Sequence, residues 1–210
     1  VTVTTLILWR HGHTEWNSEQ RIQGHTDVAL TALGHAQAAQ AAPLLVARSP
    51  DAIVASDLVR ASDTAAPLAE LTGLPVRRDP RLRERFYGDW EGLTAVEIAE
   101  RFPEGAARKR AGRHDLGHGI EAPTDVMKRM GEALRDIAET VNPGGTTVVA
   151  THSGSARYGM FDLLGWPMEL LGTVVALANC HYTELRLDPA RGWTLHGHNL
   201  GAAGGDEGYE

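Results

Sequence analysis

Three observations predict an α/β fold, a three-layer α/β/α sandwich with a mostly parallel central sheet. Short apolar, β-compatible runs alternate with helical stretches through most of the 210 residues. Two of these runs, LILW and TTVVA, lead into a histidine with a glycine one or two residues on, where a strand gives way to a turn. Antiparallel pairing is suggested only at the end of the chain, so nothing opens it as a meander or sandwich.

Each element has a local cause. Residues 5–9 are apolar and β-compatible, and Gly12 breaks them straight afterwards. Residues 31–48 (TALGHAQAAQAAPLLVAR) are alanine-rich, with Thr31 as N-cap, and residues 51–55 (DAIVA) follow as a short buried strand. A second helix over 57–72 is stopped by Gly73 and Pro75, before a small strand at 76–78. Val126, Met130, Leu134, Ile137 and Val141 line one face of an amphipathic helix, closed by Asn142-Pro143-Gly144-Gly145. The run at 146–150 (TTVVA) leads through Thr151 to His152, Ser153, Gly154 and a helical stretch as far as Leu164. YTELRLD at 182–188 alternates, and after a Pro-Ala-Arg-Gly turn residues 193–196 complete a hairpin. One domain is expected over residues 1–200, and the glycine-rich tail 201–210 is expected to be disordered.

Composition excludes several classes. A hydrophobic share of 42% with 22% charged residues is that of an ordinary globular domain. The net charge of −7 provides no overall field for nucleic acid or anionic lipid, so attraction of an anionic ligand has to be local. No run approaches the ~20 apolar residues needed to cross a bilayer. The single cysteine, Cys180, cannot form an internal disulfide, and no basic segment followed by a long apolar one opens the chain; both point to the cytoplasm.

The chemistry gathers at strand ends. Arg10 and His11 stand where the first strand stops, the end at which open α/β sheets bind ligands. An imidazole there can be nucleophile, base or metal ligand; an adjacent guanidinium argues against a metal and for an anion. His152 ends a similar strand, and neighbouring strands would bring the two rings to one pocket. Arg60, in the first turn after DAIVA, can reach the same edge with a fork suited to phosphate oxygens. A proton donor is needed as well, and Glu84 in RLRERFYGDWEG competes with Glu91; composition alone does not separate them. Trp9 and Trp16 either wall the pocket or are packed for burial. No HExxH motif occurs, and His196 and His198 flank Gly197 on a terminal hairpin without acidic neighbours, so no metal is expected.

Six blocks, in order, carry a resemblance: RHGHTEWN at 10–17, RIQGHTDVALTALGHAQA at 21–38, SDLVRASDTA at 56–65, LRERFYGDWEG at 82–92, THSG at 151–154 and NC at 179–180. Together they resemble the histidine phosphatase superfamily, in the branch similar to phosphoglycerate mutase. The resemblance implies that His11 becomes phosphorylated, that Arg10, Arg60 and His152 bind the phosphoryl group, and that Glu84 is proton donor and then base. It implies that Asn17, Gln23 and Gly24 line the pocket, and that a small helical cap is inserted at about residues 86–125. No metal or other cofactor is implied. Two positions depart from the pattern. His13 stands where glutamate or glutamine is common, and Ser153, where glycine is usual, can add a hydroxyl donor to the phosphate.

The cap carries Arg108, Lys109, Arg110 and Arg113, either a solvated basic face or a reader of a second anionic group on the substrate. Three functions follow from the resemblance: a phosphatase, an isomerase of the mutase type, or a non-catalytic phosphate-binding protein. The short chain favours the phosphatase, because family mutases carry extra segments that keep water from the phosphohistidine. The expected partner is a small-molecule phosphomonoester of unspecified identity, with neither nucleic acid nor membrane, bound by a monomer or homodimer.

Overall fold

The computed structural model describes residues 3–140 and 144–201. The first strand, β1 (Thr4–Arg10), is followed by a single helical turn, α1 (Glu15–Ser18), then α2 (Ala32–Val46), β2 (Ala52–Ala55), α3 (Val59–Thr72) and β3 (Val76–Arg78). Two small helices, α4 (Ala95–Arg101) and α5 (Pro103–Arg110), precede the long α6 (Pro123–Thr140). Strand β4 (Thr146–Thr151), helix α7 (Ser153–Leu164) and the hairpin β5 (Tyr182–Asp188) and β6 (Gly192–Leu200) complete the chain.

The six strands lie in the order β3-β2-β4-β1-β5-β6. The first four are parallel, and β5 alone runs against the others, pairing antiparallel with β1 on one side and with β6 on the other. This is the mostly parallel α/β arrangement expected from the alternation of elements. Insertion of β4 between β2 and β1 makes β1 and β4 neighbours, with Arg10 opposite Thr151. The next residues on the two strands, His11 and His152, therefore leave the sheet side by side.

Strand alternation divides the core in two, because successive side chains of a strand point to opposite faces. Ile7 and Trp9 of β1 pack with Ala38, Ala42 and Leu45 of α2 and with Ala65 and Leu68 of α3. Leu6 and Leu8 pack with Val126, Met130, Leu134 and Ile137 of α6 and with Met160 and Phe161 of α7. The alanine-rich α2 is started by Thr31, whose side chain accepts from the Gly34 N–H, and α3 ends at Gly73 in the left-handed conformation. A third cluster of Trp90, Ile98, Ala106 and Leu116 stands apart, holding α4 and α5 together over the carboxyl edge. Val141, Asn142 and the tail beyond Gly201, for which helix closure and disorder were expected, lie outside the described residues.

Candidate active site

His11 forms the floor of the site. Its main chain is fixed on both sides: its N–H donates to Thr151 O, and its carbonyl accepts from Asn179 Nδ2 at 3.0 Å and from the Cys180 N–H. The ring is 4% exposed by residue, and Nδ1 donates to Gly12 O at 2.7 Å. That bond selects the tautomer and leaves Nε2 with its lone pair. Burial, then the Arg60 and Arg10 guanidiniums, hold the imidazole well below its ordinary value of 6.5, while the bond to Gly12 opposes them. The neutral ring is the one a nucleophile requires.

Arg60, in the first turn of α3, is fully buried. Its Nε donates to His152 Nδ1 at 3.2 Å, Nη1 to Thr26 O at 2.9 Å and Nη2 to Gly24 O at 2.7 Å. Burial brings the guanidinium down to about 10, still cationic at neutral pH. Arg10 Nη1 donates to Leu177 O at 2.5 Å, which holds that side chain against the residues preceding Asn179. His152 lies 5.2 Å from His11, ring centroid to centroid, so the juxtaposition of strand ends occurs as expected. Contact with the phosphoryl group, which the resemblance implies for it, is not open in this arrangement. His152 is fully buried, its Nδ1 accepts from Arg60, its Nε2 faces Ser56 Oγ at 3.0 Å, and it is not among the residues lining the cavity. Its direct contact in this structure is to Arg60, which it orients.

Backbone partners separate the two candidate carboxylates. Glu84 lines the cavity, with Oε1 accepting from Arg85 N at 2.8 Å and Ser155 N at 2.9 Å, and Oε2 from Gly154 N at 2.9 Å. Two of those donors belong to the first turn of α7, whose orphan N–H groups and dipole favour an anion. A Cβ on Gly154 would come within 2.6 Å of Glu84 Oε1, so the carboxylate requires the glycine. Glu91 is fully used elsewhere: Oε1 accepts from His25 N and Tyr87 N, and Oε2 from Thr26 N and Thr26 Oγ1. It shapes the turn at Gly24, where φ is +52° and a Cβ would collide with Glu91.

The Glu84 main chain is gripped from behind. Arg129 on α6 donates to the carbonyls of Arg81, Arg83 and Glu84 at 2.7–2.9 Å and pairs bidentately with Glu121. His25 Nε2 donates to the same Glu84 carbonyl at 2.7 Å.

Arg10, His11, Asn17, Gln23, Gly24, Arg60, Glu84 and Ser153 all line one cavity of about 440 Å³ at the carboxyl edge of the sheet. Asn17 Oδ1 is occupied by Thr14 and Asn179, which leaves its amide N–H groups for a ligand. Gln23 Oε1 and Ser153 Oγ are buried without a hydrogen-bond partner among the described residues.

His13 is placed differently. Its ring bridges Thr31 Oγ1 and Ser18 Oγ, and it is not among the residues lining the cavity. Trp9 and Trp16 are also absent from the cavity wall; Trp9 is buried in the α2–α3 core, with Nε1 donating to Cys180 O. Of the four cap cations, only Lys109 lines the cavity: Arg113 pairs with Asp115, and Arg108 Nη1 donates to Asp115 O. His196 and His198 bond to Thr194, Thr183 and Val175. Among the described residues no three His, Cys, Asp or Glu side chains converge as a possible metal site. No helix among them is long and apolar enough to cross a membrane.

Sequence reasoning missed Arg21, Tyr87 and Arg157 in the cavity wall. Arg157 was within reach of it, since it lies four residues after Ser153 and thus on the same helix face. Arg21 and Tyr87 come from irregular segments without a period to read.

A buried neutral imidazole between two guanidiniums, facing a carboxylate across a cavity, defines a protein built around the phosphoryl end of a ligand. The family follows from sequence: the pattern of the histidine phosphatase superfamily, branch 1, matches residues 6–201, and the chain belongs to that superfamily. Among its relatives is the glucosyl-3-phosphoglycerate phosphatase of Mycobacterium tuberculosis, 36% identical over 187 residues, 86% of this chain and 84% of that protein. Another is the metal-independent phosphoserine phosphatase of Arabidopsis thaliana, 37% identical over 159 residues, 74% of this chain and 66% of that one. The structure of a mycobacterial glucosyl-3-phosphoglycerate phosphatase complexed with VO3 superposes with a TM-score of 0.84 at 35% identity, covering 93% of this chain and 98% of the other.

Proposed function

We propose that this protein is a phosphomonoesterase that hydrolyses a small phosphorylated metabolite in two steps, without a metal. Arg10 and Arg60 hold the phosphoryl oxygens, assisted by the Asn17 amide, Gln23, the turn at Gly24 and the Ser153 hydroxyl. His11 Nε2 attacks phosphorus; the P–N bond forms as the ester P–O bond breaks, and Glu84 gives its proton to the departing oxygen. Water then attacks the phosphohistidine, its proton passing to Glu84 as the P–N bond breaks and inorganic phosphate leaves. Glu84 Oε2 accepts only one backbone N–H, so it has room to handle that proton. His152 joins the phosphoryl contacts by exchanging Ser56 Oγ for a ligand oxygen.

The observation that carries this reading is the state of His11: Nδ1 committed to Gly12 O, Nε2 free, and the ring held neutral by burial and two guanidiniums. The names of the two relatives above, both phosphatases, support the hydrolytic outcome. A reducing cytoplasm is the compartment proposed for this protein, on the single cysteine, Cys180, which is buried as a free thiol. Quenching a reaction with labelled phosphomonoester should trap an acid-labile, alkali-resistant adduct on His11, absent from His11→Ala. Phosphate release from p-nitrophenyl phosphate should survive a chelator. Interconversion of 3-phosphoglycerate and 2-phosphoglycerate without phosphate release would instead make the protein an isomerase.

A further inference from the structure

The chemistry of His11 depends on one carbonyl. Nδ1 donates to Gly12 O at 2.7 Å, and that bond is what leaves Nε2 its lone pair. The carbonyl belongs to the Gly12–His13 peptide, and the N–H at the other end of the same peptide donates to Gln37 Oε1 at 2.9 Å. The preceding peptide is held at both ends too. His11 O accepts from Asn179 Nδ2 at 3.0 Å, and the Gly12 N–H donates to Thr64 Oγ1 at 2.9 Å, whose hydroxyl donates on to Arg60 O at 2.7 Å.

Helix α2 brings Gln37 to this turn. A Cβ on Gly34 would collide with His13 O, and one on Gly12 with Gly34 O, so two glycines let the backbones meet. Gln37 follows Gly34 by about one helical turn and is half-buried, and it is not among the residues lining the cavity. Its effect on a substrate therefore has to pass through the peptide.

We propose that Gln37 is a positioning residue for His11, fixing and polarising the carbonyl that binds Nδ1. This rests on the two-step reading of His11 above and adds a residue to it. As Nε2 bonds to phosphorus the ring gains positive charge, so the Nδ1–H bond to Gly12 O becomes charge-assisted and stronger than in the resting protein. Hydrogen bonds in series polarise one another, and an acceptor on the His13 N–H raises the electron density on Gly12 O at that moment. A carboxylate bound directly to the imidazole does this in a serine-hydrolase triad; here a neutral amide does it through one peptide group.

Gln37→Met keeps the length of the side chain and removes the acceptor, whereas Gln37→Glu keeps an acceptor oxygen. For p-nitrophenyl phosphate, kcat/KM should fall by about tenfold in Gln37→Met, the scale of one lost hydrogen bond, and stay within about threefold of wild type in Gln37→Glu. The inhibition constant of orthophosphate, which reports the Arg10 and Arg60 cage, should be unchanged in both. In the protein without substrate, the Nδ1–H proton resonance of His11 should move upfield in Gln37→Met and not in Gln37→Glu, as the bond to Gly12 O weakens. Full kcat/KM in Gln37→Met, an equal loss in Gln37→Glu, a parallel weakening of orthophosphate binding or an unmoved resonance each overturns the proposal. If the wild-type protein releases no phosphate, the hydrolytic reading falls, and the resonance alone still decides whether Gln37 holds His11.

Discussion

His11 is poised by what surrounds it. A desolvated imidazole beside two guanidiniums disfavours its charged form, so it stays neutral as pH falls through 6.5. The acidic limb of kcat/KM set by this ring should therefore lie well below 6.5, and Arg60→Ala should move it upward by removing one repelling charge. A pH–rate profile of both proteins checks the direction. Burial is the larger cause, ahead of the two arginines. For Glu84, Glu84→Gln should lower kcat/KM, which reports the steps through phosphohistidine formation, by about 10²- to 10⁴-fold for an alkyl phosphate, and much less for p-nitrophenyl phosphate, whose leaving group needs no proton. Equal losses in kcat/KM on both substrates would remove Glu84 from the proton-donor role. Nothing in the local sequence ranked Glu84 above Glu91, because their difference lies in which backbone N–H groups each one meets.

At the level of elements, the loop carrying Glu84 depends on α6 and α7. Arg129 binds three carbonyls of that loop and Glu121 at once, which a lysine cannot imitate with a single ammonium. Arg129→Lys should therefore reduce kcat by about tenfold while KM changes less, as expected when one charged hydrogen-bond set is loosened away from the substrate. A pure KM effect, or none, would make the brace irrelevant to turnover. Gly154→Ala should likewise depress kcat with the fold retained, since its Cβ falls on the carboxylate and not in the core; circular dichroism and steady-state rates separate the two outcomes. Helical spacing made α6 and α7 legible, and Arg157 was readable from the same spacing. The capping of α7 by a side chain from residue 84 was not, because it joins segments seventy residues apart.

For the whole molecule, burying two neutral histidines ties stability to acidity. His11 and His152 both have values lowered in the fold, chiefly by burial. Below 6.5 the unfolded chain takes up protons that the folded one refuses, so stability falls as pH drops from 6.5 toward the lowered values. The melting temperature should decline over that range before the carboxylates Asp57, Asp79 and Glu121, themselves lowered, begin to titrate. A flat profile from pH 7 to pH 5.5, monitored by calorimetry, would contradict it.

The sequence by itself determined the layers, the parallel character of the sheet and the strand-end position of Arg10 and His11, because apolar periodicity and glycine or proline breaks act over a few residues. Only the tertiary structure decided that β4 lies between β2 and β1, that Glu91 shapes a turn while Glu84 faces the cavity, that His152 turns to Arg60 and Ser56, and that Lys109 and Arg157 look inward. Each of these depends on partners distant in the chain, and a hydrogen bond between such groups leaves no period in the sequence.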